Sequence, residues 1–417
     1  MTSRKMKDSG VEWIHLIPSD WQTTKVKRLG DFINGFAFKP TNWGDQGLPI
    51  IRIQNLTNSN NEYNYFNDEI DNKYVVEKGD YLISWSATLD VFRWTGETAV
   101  LNQHIFKVLL NEKIVDYSFF YWHAKQFIDE MSNHKHGSTM QHVTKGVFDN
   151  FVVALPPLKE QQKIAAFLDE KVAHIDNIIE DTKKSIENLK AYKQSLITET
   201  VTKGLNPDVE MKDSGIDWIG DIPKYWKIYK IGQIFKEHKE KNEGLIEDNL
   251  LSLSYGKVKR RDIKSKEGLL PQSFEGYNII KPGDIVLRMT DLQNDQKSLR
   301  VGLCKEKGII TSAYISIRAY NNIYPHYAYY YLHSFDIYKG FYGMGAGVRQ
   351  GVNFNELKKL DILFPTYNEQ KQIAIVLDEK SRTIESTIEQ KEQLITELEA
   401  YKKSLIYEYV TGKKEVN

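Results

Sequence analysis

A chain of 417 residues with 56 basic and 56 acidic side chains carries a formal net charge of zero. That balance excludes a bulk polycation of the histone kind, so any nucleic-acid surface must come from local clustering. At 41% hydrophobic and 27% charged residues the composition is ordinary globular material, with length for about two to four domains. The lone Cys304 excludes an intramolecular disulfide and a thiolate-rich zinc site. A reducing cytoplasm is the expected location. Met1-Thr2-Ser3-Arg4-Lys5 leads into no apolar stretch, so no signal peptide is expected. No run of about 18 apolar residues predicts a transmembrane helix.

In chain order, residues 1–158 read as a mixed α/β domain with many short strands. Leu48–Ile53, Tyr81–Trp85 and Ile105–Leu109 are compact apolar runs bounded by polar or turn residues. Tyr117–Met131 carries apolar residues at helical spacing and predicts a short helix. Residues 159–204 differ in kind, with no proline, and no glycine before Gly204. Leu168, Ile175, Thr182, Leu189 and Leu196 fall seven apart, and Ile164, Val172, Ile179 and Ile186 fill the same face. Pro156-Pro157 precedes this helix and Gly204 with Pro207 ends it. At about 1.5 Å per residue it is a rod roughly 65 Å long. Residues 205–367 repeat the plan of the first domain. Residues 368–417 repeat the long helix and add a tail, with Leu377, Ile384, Leu398 and Leu405 keeping heptad spacing.

The repetition is literal at the domain ends. Met6-Lys7-Asp8-Ser9-Gly10 with Trp13, Pro18 and Trp21 returns as Met211-Lys212-Asp213-Ser214-Gly215 with Trp218, Pro223 and Trp226, an offset of 211 − 6 = 205. Glu160-Gln161 and Leu168-Asp169-Glu170-Lys171 return as Glu369-Gln370 and Leu377-Asp378-Glu379-Lys380, an offset of 369 − 160 = 209. The period is too long for a solenoid, so this is a duplicated domain. The middles of the halves differ, which implies one framework carrying two different readers. Tryptophans shared by both copies cannot encode two different targets, so they belong to core or framework. An isolated striped helix exposes a large apolar patch. Its cheapest partner is the other long helix, lying antiparallel, which brings the C-terminus back to the N-terminal domain. The fold class is therefore α+β: two similar globular α/β domains joined by two long antiparallel coiled-coil helices, an internal pseudo-twofold repeat.

These residues resemble the specificity subunits of type I restriction–modification systems. The match lies in both Met-Lys-Asp-Ser-Gly openings and in the junction Pro156-Pro157-Leu158-Lys159-Glu160-Gln161. It extends to the helix ends Ser195-Leu196-Ile197 with Val201-Thr202-Lys203-Gly204, and Ser404-Leu405-Ile406 with Val410-Thr411-Gly412-Lys413. The resemblance spans nearly the whole chain and resides in its framework. It implies that each globular domain reads one half of an asymmetric, split site in duplex DNA. It implies that the helices set the spacing and dock two methyltransferase subunits, and that motor-nuclease subunits join the full complex. S-adenosylmethionine is expected in the methyltransferase partners, and no cofactor is expected on this chain.

The residues themselves show no Gly-rich loop ending in Gly-Lys-Ser/Thr and no Asn/Asp-Pro-Pro-aromatic tetrad. Gly343-Met344-Gly345-Ala346-Gly347 reads as a turn, and His134, His136 and His142 as loop histidines without companion metal ligands. Asp169-Glu170-Lys171 and Asp378-Glu379-Lys380 read as solvated helix flank or subunit contact. This chain is therefore expected to be non-catalytic. DNA contacts require positive groups for phosphates, and amides or guanidinium groups for base edges. In the first domain the richest window contains Ser138, Thr139, Gln141 and Lys145. Its positional counterpart in the second contains Arg349 and Gln350. Lys257, Lys259, Arg260, Arg261 and Lys264 form the densest basic run, which is a DNA contact or a solvated charge run. Arg288 and Arg300 are further candidates. Trp85 and Asn102-Gln103-His104 suit either contact or structure. The competing class is a non-enzymatic coiled-coil scaffold whose globular domains bind proteins. On the DNA reading, Arg349→Ala lowers discrimination at one base of one half-site; equal methylation loss at cognate and single-mismatch sites excludes that role.

Overall fold

The computed structural model describes residues 4–58, 62–86, 88–133, 143–262, 271, 273–292, 299–320, 322–344 and 351–416. The chain divides into two compact units, Met1–Thr182 with Gln393–Asn417, and Lys183–Glu392. Both divisions fall inside long helices. Each unit thus contains one globular module, part of the helix that leaves it and part of the other long helix.

In the first unit the strands are short and rich in β-branched and aromatic residues. One antiparallel sheet runs Gly30–Asn34, Ile105–Leu110, Tyr81–Ser84, Asp90–Arg93 in spatial order. The helix Tyr117–Asn133 packs on it through Phe120, Ala124, Phe127 and Ile128, which share a core with Phe32, Tyr81, Ile83 and Val108. A second sheet runs Asn64–Phe66, Leu48–Ile51, Ala99–Leu101, Val75–Val76, its Leu48–Ile51 and Ala99–Leu101 pair being parallel. The apolar run expected as a strand to Ile53 turns into a short helix, Ile53–Thr57, after Ile51. Asn55 Oδ1 accepts from the Arg52 amide at 3.1 Å, which supplies the start signal.

The second unit repeats the first sheet in the same order: Phe235–Glu237, Ile315–Ala319, Ile285–Leu287, Val301–Leu303. The helix Pro325–Ile337 covers it through buried Tyr327, Ala328, Tyr331 and Phe335. The second sheet recurs in outline: Asn278–Ile280 pairs antiparallel with Gly308–Ile310, as Val75–Val76 does with Ala99–Leu101, and Leu250 bridges Ile309 in parallel. Here a tight turn joins Leu251–Ser254 to Lys257–Arg260. Cys304 is buried here, and burial pushes its thiol up to about 11.

The long helices are Leu158–Lys203, of 46 residues, and Tyr367–Val410, of 44. Their stripe is buried as the heptads require: Ile164, Leu168, Val172, Ile175, Ile179 and Ile186 on one, Leu377, Ile384 and Leu405 on the other. Leu189, Leu196 and Leu398 are half-buried. Within the first unit Phe167 meets Tyr409, with ring centroids 4.4 Å apart, and Asp176 takes Lys402 Nζ at 2.6 Å. Within the second, Lys193 takes Glu385. The partner number falls as the first rises, which is antiparallel pairing. The two ion pairs are one contact duplicated, because 385 − 176 = 209 and 402 − 193 = 209.

Arg300, offered by the sequence as a DNA contact, is buried in the second unit. Its guanidinium donates to the carbonyls of Arg288, Thr290 and Asp291 at 3.1, 2.8 and 3.2 Å, and Nε to the Tyr342 hydroxyl at 3.2 Å. A guanidinium holding three carbonyls within the fold is a brace for the segment after Leu287, not a groove contact. Asp336 accepts the Arg300 amide at 2.5 Å, while its Oδ1 lacks a hydrogen-bond partner among the described residues. Burial raises this carboxyl from 3.8 to about 6.

Two outcomes follow from this packing. Lys402→Glu weakens the helix pair, and Asp176→Lys added to it restores the pair. A denaturation double-mutant cycle should read a coupling of about 0.2–1 kcal/mol, since both side chains are partly exposed. An acid whose folded pKa lies above its unfolded one binds its proton more tightly when folded. Its contribution is therefore fully present below pH 4 and is lost as pH rises through about 6. Asp336→Asn should raise stability by roughly 1–3 kcal/mol at pH 8, by about half as much at pH 5 and by little below pH 4, read from denaturation midpoints.

Candidate nucleic-acid interface

A repeated junction aims each module. In the first unit, the hairpin Met6–Asp8 with Leu16–Pro18 leads to Trp21, whose side chain is fully buried. Trp21 Nε1 donates to Glu160 Oε2 at 2.9 Å, in the first turn of the long helix. Arg4 binds the same carboxylate with Nη2 at 2.9 Å, and this raises the guanidinium pKa further. Gln161, also fully buried, accepts the Asp116 amide at 2.7 Å and donates to Pro156 O at 2.8 Å and Ile114 O at 2.9 Å. In the second unit Trp226 donates to Glu369 at 3.2 Å, with Tyr225 in the place of Arg4 at 2.8 Å. Gln370 accepts the Tyr324 amide at 2.7 Å and donates to Pro365 O at 2.9 Å.

The helix ends close the same junctions. Gly204 and Gly412 both terminate a long helix at positive φ, +79° and +73°. A Cβ on Gly204 would stand 3.2 Å from the Trp226 ring, and one on Gly412 3.1 Å from the Trp21 ring. Tyr407 donates to Trp13 O at 3.3 Å, and Lys413 Nζ binds the carbonyl of Ile14. The first opening hairpin therefore lies beside the end of the second long helix, as the repeat requires. Trp13 donates to Val152 O at 3.2 Å and stacks on Phe151, and Trp218 packs on Tyr331 and Phe335. All four repeated tryptophans serve the framework.

The structure revises one reading of the repeated acids. Asp169 accepts Trp122 Nε1 at 2.8 Å. Asp378 accepts the Tyr330 hydroxyl at 2.7 Å and His326 Nδ1 at 3.0 Å. These are intramolecular contacts between long helix and covering helix, not solvated flank. Glu170 fits that description, paired with its neighbour Lys171 at 2.9 Å. Glu160, Gln161, Glu369 and Gln370 were visible as a repeat, but their role as acceptors at the junction, the glutamines fully buried and the glutamates half-buried, was not, because a Glu-Gln pair opens many helices.

Ser138, Thr139, Gln141, Lys264, Arg349 and Gln350, with His134, His136 and His142, lie outside the described residues. Lys145 opens the helix Lys145–Asn150, capped by Thr144, and reaches Asp149 at 3.1 Å. It borders a cleft of about 430 Å³ with Lys27, Asp31 and Asp149. Lys257, Lys259 and Arg260 share the strand Lys257–Arg260, and the Arg261 amide continues it to Leu250 O at 2.9 Å. Lys257 is exposed yet bonded to Glu385 at 2.8 Å, and Arg260 binds Glu306 with Nε at 2.6 Å. Lys259 points to solvent. Arg288 is half-buried, its amide on Arg300 O at 2.9 Å. Among the described residues of the basic run, Lys257, Lys259 and Arg260 are all exposed, and Lys257 and Arg260 also pair with carboxylates. Two of its cations brace a ribbon. Trp85 donates to Asn34 at 3.1 Å and its ring lies 5.4 Å from His104, so both are engaged within the module. No described helix is long and apolar enough to cross a membrane.

Comparison with known proteins places this framework. Residues 18–188 and 223–399 each match the type I restriction modification DNA specificity domain, one copy per half. The chain is 25% identical over 429 residues to the type I restriction enzyme MjaVIII specificity subunit of Methanocaldococcus jannaschii, covering 96% of this chain and 94% of that one. A solved structure concerned with complex assembly and conformational transition of the type I R-M system superposes at TM-score 0.71, with 12% identity over 95% of this chain and 99% of the other. The HsdS subunit of Thermoanaerobacter tengcongensis superposes at 0.54, also at 12% identity, over 95% and 98%. Two matched domains, a shared junction and two long helices lead to one conclusion: this chain belongs to the family of type I restriction–modification DNA specificity proteins.

Proposed function

We propose that this chain selects the DNA sequence for a type I restriction–modification complex and performs no chemistry of its own. Each globular module reads one half of an asymmetric bipartite duplex site. The long helices fix the gap between half-sites and dock two methyltransferase subunits, through which motor-nuclease subunits join. S-adenosylmethionine belongs to the methyltransferase partners. The observation that carries this reading is one framework used twice around different surfaces. The order of the first sheet, the pairings of the second and the Trp–Glu–Gln junction recur, while the connections differ: a helix-bearing segment joins Leu48–Ile51 to Asn64–Phe66, and a two-residue turn joins Leu251–Ser254 to Lys257–Arg260. A scaffold for two proteins also needs two different surfaces, but the family match favours DNA.

The charge distribution supports a sequence reader over a general binder. Net charge is zero, and several cations are held by carboxylates of the fold. Affinity must then come from few phosphate contacts, while base-edge contacts decide where the chain stops. Single-molecule methylation sequencing of cells co-expressing this chain with a type I methyltransferase subunit that assembles with it should reveal a split adenine-modified motif, absent without this chain. A complex that assembles and yields no motif favours the scaffold. DNA retention by the assembled complex should also weaken linearly in log salt, with a slope near −0.9 per phosphate contact.

A further inference from the structure

The ribbon of the second unit is closed by Tyr255 and Gly256, with Ser254 opposite Lys257. Both turn residues lie at positive φ, +47° and +74°. This two-residue turn matches the twist of an antiparallel pair and favours Asn, Asp or Gly at its first position. A bulky aromatic in left-handed backbone is an outlier, and such strain gathers at functional sites. Burial does not offset it, because Tyr255 is 79% exposed, more than any other large apolar side chain among the described residues.

The ribbon under that ring is firmly held. Gly302 lies so close beneath that a Cβ there would stand 2.4 Å from Leu253 and 3.0 Å from Val258. The Tyr329 hydroxyl donates to Gly256 O at 3.4 Å, just behind the tip. Arg260 and Lys257 are anchored on Glu306 and Glu385, while Lys259 stays exposed beside them. In the first unit the strands Leu48–Ile51 and Asn64–Phe66 pair instead across a longer connection that holds a helix. The strained tip therefore belongs to one module only, as an element that distinguishes two readers should.

We infer that this ribbon enters a groove of duplex DNA and that Tyr255 is a specificity-determining residue for one half-site. The inference rests on the DNA-reading role proposed above. A major groove about 12 Å wide admits a two-stranded ribbon. A projecting aromatic ring can meet a thymine methyl there or wedge between base steps.

Tyr255→Asn separates reading from folding, since Asn before Gly256 is a favoured sequence for this turn. The variant should melt no lower than the unaltered chain. In cells with the methyltransferase, methylation sequencing should show discrimination falling about tenfold or more at one or two adjacent bases of one half-site. The other half-site and the gap should stay as they were. Tyr255→Phe should keep the motif, because the ring is retained. A split motif unchanged at every position in Tyr255→Asn overturns the inference and leaves the DNA-reading role standing. No split motif from the unaltered chain in an assembled complex overturns both.

Discussion

An apolar stripe along a helix of more than forty residues is the constraint on which this molecule depends. Such a helix cannot stand alone in water, since each buried Leu or Ile is worth about 1.5–3 kcal/mol relative to exposure. The chain meets the requirement with its own duplicate. Ile175 and Ile179 share a core with Leu405 and Ile406 in one unit, and Ile197 and Val201 with Ile373 and Leu377 in the other. Because the halves are copies, contacts recur at both ends, as in the pairs Asp176–Lys402 and Lys193–Glu385. The direction of pairing then follows: in a parallel pair these partners would not meet.

The junctions transmit that order to the modules. A buried indole N–H needs an acceptor, and a buried carboxylate needs donors. Trp21 with Glu160 and Trp226 with Glu369 meet both needs at the first turn of a long helix, where the dipole also favours negative charge. Gln161 and Gln370 then bind the chain entering each covering helix. Hairpin, long helix and covering helix are thus joined by a few directional bonds, each short on alternatives. Within each unit that rigidity fixes the module on its long helix.

Above the junctions the halves share the order of one sheet and the pairings of a second, and differ in the segments that connect the strands. The common sheet supplies the core for its covering helix. The connecting segments are free to differ because they do not carry the junction. Charge is spent in the same divided way. Lys257 and Arg260 pair with Glu385 and Glu306 while staying exposed, whereas Arg300 ties three carbonyls inside the second module.

The sequence by itself determined the duplication, the two long helices, their antiparallel pairing, the first strands and the family. The duplication, the helices and their pairing rest on period and repetition, the strands on short apolar runs, and the family on the resemblance of the repeated motifs to known proteins. The repeated tryptophans were legible as framework for the same reason. Only tertiary structure decided what each polar residue does. Asp169 and Asp378 look solvated on a helical wheel until Trp122 and Tyr330 arrive from the covering helices. Arg300 looks exposed until Tyr342 and the carbonyls near Arg288 close around it. Tyr255 drew no notice in sequence, because exposure and left-handed backbone have no signature in residue type. A polar group's role is set by partners tens of positions away, and spacing along a chain does not encode which of them it will meet.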